Sequence, residues 1–129
     1  MNDENTTIEK LKEKVAQFVS ERNWERYHSP KNLSMTIAIE AAELMEKFQW
    51  IDEDESYKEI VCNKKEIEEE LADVFSAVLS FAHFYKIDLS DAFTRKMMAN
   101  AQKYPIEKVK NKGIEAIKLC REIHAKHKN

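Results

Sequence analysis

The sequence predicts an all-α fold, an antiparallel four-helix bundle followed by a C-terminal helical extension. Apolar residues recur at helical spacing along most of the chain, and recognisable caps precede four segments. Glycine occurs once and proline twice in 129 residues, and no stretch shows strand-like alternation. This length fits a single domain over 1–129, with a core over about 7–105 and a helical tail over about 106–129.

The first two predicted helices span about 7–27 and 30–50. Thr6 with Glu9 matches a capping box for the first helix. Ser29, followed by a proline, matches an N-cap for the second. The acidic stretch at 52–56 that follows is predicted to be a loop with a short turn after it.

The third predicted helix spans about 64–86, and Asn63 with Glu66 matches a capping box at its start. Its apolar residues step by three or four positions and predict one buried face: Ile67, Leu71, Val74, Val78, Phe81 and Tyr85.

The fourth predicted helix spans 89–103, starts at an Asp88–Asp91 cap and stops before Pro105. A less regular pattern over about 113–126 predicts a helix in the tail.

Composition excludes several classes of function. The formal net charge is only -3, with acids and bases interleaved, so a nucleic acid polymer is not an expected partner. One glycine cannot build a phosphate-binding loop or a dinucleotide fingerprint. Cys62 and Cys120 form no paired motif, so we expect reduced thiols and a cytoplasmic protein. No apolar run reaches the roughly 18 residues of a membrane span, so no membrane partner is expected.

Acidic residues interrupt an otherwise apolar second helix. Glu40 and Glu43 lie three positions apart, hence on one face, and the helix around them is apolar on nearly all sides. Such a helix is expected to be buried on nearly all sides. Two poorly solvated carboxylates resist ionisation, so either their pKa values rise or a cation neutralises them.

The third helix repeats this spacing with Glu70 and Asp73. If the two helices pack antiparallel, both pairs can meet across the interface. Four carboxylates suit a hard divalent cation such as Mg²⁺, with Mn²⁺ as the alternative. A di-iron site would require histidine in place of Glu43 and Asp73. The simpler alternative is that each carboxylate pair is ordinary surface charge.

Four segments together resemble the MazG-like all-α nucleoside triphosphate pyrophosphohydrolases, in their dCTP pyrophosphatase-like branch. These segments are ERNWERYHSPKNL (21–33), EAAELMEKFQW (40–50), EEELADV (68–74) and KMMANAQKYP (96–105). The resemblance implies cleavage between the α- and β-phosphates of a nucleoside triphosphate. It also implies a homodimer or homotetramer, in which neighbouring chains complete the site.

The resemblance implies roles for particular residues. Glu40, Glu43, Glu70 and Asp73 match Mg²⁺ ligands, and substrate contacts are implied for Trp24, Trp50, Lys96, Asn100, Lys103 and Tyr104. We also assign His28 to the substrate pocket and Glu69 as general base. Val15 and Ala77 depart from the dCTP-specific pattern, so neither base nor sugar preference is carried over.

Each assignment has a plainer alternative. The two tryptophans can serve as core or interface anchors, the lysines of the fourth helix as solvated charges, and His28 as a partner of a helix end. The alternative function is a non-catalytic helical module, in which the apolar second helix mediates oligomerisation.

Overall fold

The computed structural model describes residues 1–128, which form seven α-helices and one 3₁₀ turn and contain no strand. The predicted all-α class is therefore confirmed. None of the helices in this part of the chain has the length and apolar content that crossing a membrane requires. The helices are α1 (Ile8–Ser20), α2 (Pro30–Glu46), α3 (Glu53–Cys62), α4 (Lys64–Phe84), α5 (Leu89–Lys103), α6 (Ile106–Val109) and α7 (Ile114–Lys126), and the 3₁₀ turn is Glu25–Tyr27.

Helix α1 ends at Ser20, seven residues before the predicted end. Asn23 adopts the left-handed conformation with φ of 52°, and a right-handed α-helix cannot continue through a residue in that conformation. The Trp24 N–H donates to the Val19 carbonyl at 3.1 Å, and the Asn23 N–H donates to the Ser20 carbonyl at 3.0 Å. These two bonds form a Schellman motif, so the prediction of one helix through residue 27 was wrong.

Helix α3 occupies the acidic stretch that was predicted to be a loop. Asp52 accepts a hydrogen bond from the Glu55 N–H at 2.8 Å, and the Glu55 carboxylate accepts one from the Asp52 N–H at 3.2 Å. Three acidic residues in the first turn also complement the positive end of the helix dipole. The loop prediction was wrong because these acids cap a helix rather than interrupt one.

Two other predicted caps are corrected. The N-cap of α1 is Thr7, whose hydroxyl accepts from the Lys10 N–H at 3.2 Å, rather than the preceding threonine. Asn63 does not cap α4, because its side chain donates to the Glu59 carboxylate at 2.6 Å. The N-caps predicted for α2 and α5 are confirmed at Ser29 and Asp88.

Contacts divide the chain into two compact units, Met1–Ile87 and the segment from Asp88 onward. In the first unit, α1, α2 and α3 all contact α4. Helices α2 and α4 run antiparallel: Lys47, just after α2, contacts the start of α4, while Tyr85, at the end of α4, donates to the His28 carbonyl at 2.8 Å. This antiparallel pair is the scaffold that was predicted for the carboxylates.

The core of the first unit centres on α4. Of the six residues in its predicted stripe, only Ile67 is buried, and Leu71 is 55% exposed. Because α4 packs against both α1 and α2, its buried set is wider than one stripe. The buried apolar residues of the unit are Val19, Leu33, Ile67, Ala77, Leu79 and Ala82.

Helix α2 is not buried on nearly all sides, so that prediction was wrong for the single chain. Leu33 is 4% exposed, but Met35 is 54%, Ile39 53% and Met45 70% exposed. Within this unit α4 is the main neighbour of α2, so the remaining apolar surface of α2 is uncovered.

The second unit contains α5, α6 and α7, and α6 contacts α7. Helix α5 has the predicted bounds, and α7 confirms the predicted helix in the tail. The short helix α6 was not predicted. Three of the four helices predicted for the bundle belong to the first unit and α5 to the second, and a single domain over the whole chain stays a prediction.

Replacing Asp52 by alanine tests the capping box of α3. We expect Asp52→Ala to lower the free energy of unfolding by about 0.5–2 kcal/mol, because the Glu55 N–H loses its acceptor. Urea denaturation measures this change, with Asp52→Asn as a control that keeps a capping side chain. Equal stabilities for the alanine and asparagine variants would contradict the cap.

Candidate active site

The two predicted carboxylate pairs lie on neighbouring helices of the first unit. Glu40 and Glu43 project from α2, and Glu70 and Asp73 from α4. Partial burial raises the pKa of Glu40, and the charges of Glu43, Asp73 and Glu70 raise it further, in that order. All three other predicted ligands are therefore close enough to repel the same carboxylate.

Solvation differs among the four carboxylates. Glu40 and Glu70 are half-buried, whereas Glu43 and Asp73 are exposed. The expectation that Glu43 faces protein rather than water was therefore wrong for the single chain, for the same reason that α2 keeps an uncovered apolar surface.

Lys47 is a site residue that the sequence analysis missed. Its Nζ lies 3.2 Å from Glu70 Oε1 and 3.3 Å from Glu66 Oε2. The hydrogen bonds to Glu70 and then to Glu66 raise the pKa of Lys47. The sequence did offer a signal, because Lys47 is the single basic residue between Lys31 and Lys58. Its cation neutralises one carboxylate of the cluster and leaves the second oxygen of Glu70 outside the pair.

The donor set suits a hard divalent cation, although the side chains are not arranged around one point. Within residues 1–128, no three acidic, histidine or cysteine side chains converge closely enough to hold a metal ion. All four predicted ligands offer oxygen only, which is the preference of Mg²⁺ and Mn²⁺. The repulsion that raises the pKa of Glu40 is relieved when a cation joins the cluster. These residues therefore fit such an ion by charge and donor chemistry.

Glu69, the predicted general base, lies on the solvent side of α4. Its side chain is 65% exposed, and its Oε1 is 4.0 Å from the Nζ of Lys65. Consecutive helical residues point about 100° apart, so Glu69 leaves α4 in a different direction from Glu70. Its catalytic role stays a prediction.

The segment between α1 and α2 holds two predicted substrate residues. The Trp24 ring is 44% exposed and meets Phe18 edge-on at 5.9 Å between centroids. His28 Nδ1 donates to the Trp24 carbonyl at 2.7 Å, and its ring packs 5.1 Å from Phe84. Because a carbonyl can only accept, His28 Nδ1 carries the proton, and His28 ties this segment to α4.

Trp50, in the turn after α2, is 87% exposed. An indole with this exposure offers a free face for stacking, either on a base or against another chain.

Three predicted substrate residues of the second unit line one cleft. Lys96, Asn100 and Lys103 recur at helical spacing on α5 and border a cleft of about 810 Å³ between α5 and α7. Tyr104 instead follows the end of α5, where its N–H donates to the Asn100 carbonyl at 2.9 Å. It lines an adjoining hollow of about 590 Å³ that shares His124 and Lys128 with the cleft. The structure therefore brings three of these four residues together.

Substituting Glu40 tests the repulsion within the carboxylate cluster. The pKa of Glu40 is higher in the folded chain than its ordinary value of 4.5, so the folded state binds more protons over the interval between the two values. Stability falls as pH rises through that interval, and ionised Glu40 opposes folding at neutral pH. We expect Glu40→Gln to raise metal-free stability at pH 7 by about 0.2–0.5 kcal/mol per close like charge, with no gain near pH 4.

Urea unfolding in EDTA at the two pH values measures this difference. Glu13→Gln on α1, where no ion pair involves Glu13 within residues 1–128, is the control and leaves stability unchanged. A destabilised Glu40→Gln protein at pH 7 would show that Glu40 is a structural ion-pair partner instead.

A model of the MazG-like family matches residues 35–119. Mouse dCTP pyrophosphatase 1 is 35% identical over 102 residues, which cover 78% of this chain and 60% of the relative. Human dCTP pyrophosphatase 1 is 34% identical over 101 residues, 77% of this chain and 59% of the relative. The chain thus spans about 60% of the length of these curated relatives.

A solved structure shares the fold. The crystal structure of a pyrophosphatase from Archaeoglobus fulgidus superimposes with a TM-score of 0.74 at 39% sequence identity, covering 81% of this chain and 98% of that one. The resemblance found in the sequence motifs is therefore confirmed by both sequence and structure.

Proposed function

The chain belongs to the MazG-like family, and we propose that it is a Mg²⁺-dependent nucleoside triphosphate pyrophosphohydrolase that converts a (d)NTP to the monophosphate and pyrophosphate. The observation that carries this proposal is the placement of two carboxylate pairs on the packed helices α2 and α4, where partial burial and then the charges of Glu43, Asp73 and Glu70 raise the pKa of Glu40. The names of the relatives, dCTP pyrophosphatase 1 and a pyrophosphatase, support the same reaction.

The proposed roles follow from side-chain chemistry. Glu40, Glu43, Glu70 and Asp73 would hold Mg²⁺, or Mn²⁺ in its place. When bound, the ion supplies positive charge that neutralises phosphate oxygens and stabilises the charge developing in the transition state. Lys47 keeps Glu70 neutralised and close to the end of α2.

In the proposed reaction, water attacks the α-phosphorus while the bond from that phosphorus to the bridging oxygen breaks. Pyrophosphate leaves with the bridging oxygen, and a carboxylate, for which Glu69 is our candidate, accepts the proton of the attacking water. Lys96 and Lys103 neutralise triphosphate charge, and Asn100 offers an amide to the substrate. Trp24 and Trp50 stack on the base, with His28 fixing the position of the Trp24 segment.

The biological setting we propose is removal of unwanted nucleotides from the cytoplasmic pool. Both cysteines are free, as a reducing compartment requires. The substrate base stays open, because Val15 and Ala77 depart from the dCTP-specific pattern and Ala77 is buried in α4.

The alternative function is a non-catalytic oligomerisation module. The observation that favours it is the uncovered apolar surface of α2 and α3, where Met35, Met45 and Val61 are each more than half exposed. Oligomerisation and catalysis are compatible, however, and a homodimer or homotetramer is part of our proposal.

An assay of pyrophosphate release tests the enzymatic proposal. We expect a mixed pool of dNTPs with Mg²⁺ to yield pyrophosphate, and Glu40→Gln to lower turnover by about 100-fold or more, since even partners of metal ligands cost 10–100-fold. Glu13→Gln is the control and keeps full activity. A folded wild-type protein that releases no pyrophosphate with either Mg²⁺ or Mn²⁺ would leave only the alternative.

Light scattering after size exclusion tests the oligomer. We expect a mass of two or four times the 15.2 kDa chain, because exposed apolar helix faces associate in water. The double variant Met35→Gln/Met45→Gln should shift toward the single-chain mass, while Glu13→Gln, at an exposed position of α1, should not. A wild-type mass of 15.2 kDa at micromolar concentration would refute this assignment.

A further inference from the structure

The cleft between α5 and α7 is bordered by an unusual set of charges. Its lining includes five lysines and no acidic residue: Lys96, Lys103, Lys108, Lys126 and Lys128. His124 and His127 add two imidazoles at the α7 side. Five like charges around an open volume of about 810 Å³ repel one another, and an anion between them would relieve that repulsion.

These lysines have no acidic partners in the described part of the chain. None of the ion pairs within residues 1–128 involves any of the five. The segment 88–129 as a whole has ten Lys or Arg against five Asp or Glu, a formal net charge of +5 in a chain whose total is -3. The positive charge is thus concentrated in this unit.

A plainer explanation accounts for part of the set. Lys103 and Lys126 lie in the last turns of α5 and α7, where a cation interacts favourably with the helix dipole. Lys96 lies in the middle of α5, so a helix dipole does not explain why it borders the same cleft. Convergence of three helices, α5, α6 and α7, on one volume is typical of a binding site.

We propose that this cleft binds a polyphosphate chain, and that the end of α7 adds phosphate-binding side chains to the substrate residues Lys96, Asn100 and Lys103. The identity of the polyphosphate as the triphosphate of the substrate rests on the proposed function. Lys126 and Lys128 lie beyond the segment 35–119 that matches the family model, so this contribution comes from the C-terminal segment of this chain.

The lining favours a polyphosphate over a nucleic acid. Single-stranded nucleic acids are held by aromatic rings on which bases stack, in addition to positive charge. No Phe, Tyr or Trp side chain lines the cleft within the described residues, and the one aromatic ring beside it is Tyr104, which lies in an adjoining hollow with its centroid 5.2 Å from Lys103 Nζ. Five lysines with so few rings beside them match the phosphates of a ligand better than a row of stacked bases.

Binding of inorganic tripolyphosphate to the full chain in EDTA tests the proposal. We expect Lys126→Gln/Lys128→Gln to raise its Kd, measured by calorimetry, about three- to tenfold, as two partly exposed charge contacts should. Lys112→Gln/Lys118→Gln removes two exposed lysines of the same unit that do not border the cleft, and leaves the Kd unchanged. Affinity should also fall with added salt.

Lysine acetylation followed by mass spectrometry gives a second readout that needs no variant. Tripolyphosphate should protect Lys96, Lys103 and Lys126 and leave Lys112 and Lys118 reactive. Three results would each overturn the proposal. The first is an equal Kd for wild type and for Lys126→Gln/Lys128→Gln, called the α7 variant below. The others are uniform protection of all lysines, and tighter binding of a single-stranded oligonucleotide than of tripolyphosphate.

Steady-state kinetics separate this proposal from the enzymatic one. If both hold, the α7 variant raises KM for a dNTP and keeps kcat. If tripolyphosphate binding depends on Lys126 and Lys128 but the protein hydrolyses no nucleotide, the cleft binds polyphosphate and the proposed pyrophosphohydrolase activity is refuted. If the α7 variant hydrolyses dNTPs with an unchanged KM, the role of α7 in substrate binding is refuted and the enzymatic proposal stands.

Discussion

Electrostatic repulsion between carboxylates on α2 and α4 is the constraint around which the first unit is organised. The two helices pack antiparallel along the core of the unit, and this packing partly buries Glu40 and adds the charges of Asp73 and Glu70 to that of Glu43 on the same helix, all of which raise the pKa of Glu40. Water solvates part of the cluster, and Lys47 neutralises Glu70. The remaining charge opposes folding unless a proton or a metal ion compensates it. A cluster that costs stability in this way is typical of a functional site.

Charge is also divided between the two units. Residues 1–87 contain nineteen Asp or Glu and eleven Lys or Arg, whereas residues 88–129 have twice as many bases as acids. A nucleoside triphosphate with its Mg²⁺ presents both signs of charge, so binding it requires carboxylates for the ion and ammonium groups for the phosphates. The proposed ion ligands belong to the acidic first unit, and the proposed phosphate-binding lysines belong to the basic second unit.

Local sequence signals predicted most of the helices and failed where a signal had two meanings. The acidic residues at 52–56 are compatible both with a loop and with a capping box. The hydrogen bonds between Asp52 and Glu55 show that they begin a helix. No local sequence pattern indicates the left-handed conformation of Asn23, which ends the first helix earlier than predicted. Spacing alone put Glu40 and Glu43 on one face, and that prediction depended on nothing beyond helix geometry.

Features that depend on tertiary packing lay beyond the reach of the sequence. The pairing of Lys47 with Glu66 and Glu70 joins residues about twenty positions apart, and no local pattern encodes it. The exposure of Met35 and Met45 depends on how many helices surround α2, which composition cannot reveal. Likewise, the sequence predicts only a helical tail, and it does not indicate that Lys126 and Lys128 border the same cleft as Lys96.

Titration of the nucleotide-free protein with Mn²⁺, followed by electron paramagnetic resonance of the free ion, tests the carboxylate cluster most directly. We expect saturable binding that Asp73→Asn weakens markedly and Glu13→Gln leaves unaltered. Free Mn²⁺ that rises in step with added Mn²⁺ from the first addition, or identical binding curves for wild type and Asp73→Asn, would contradict it.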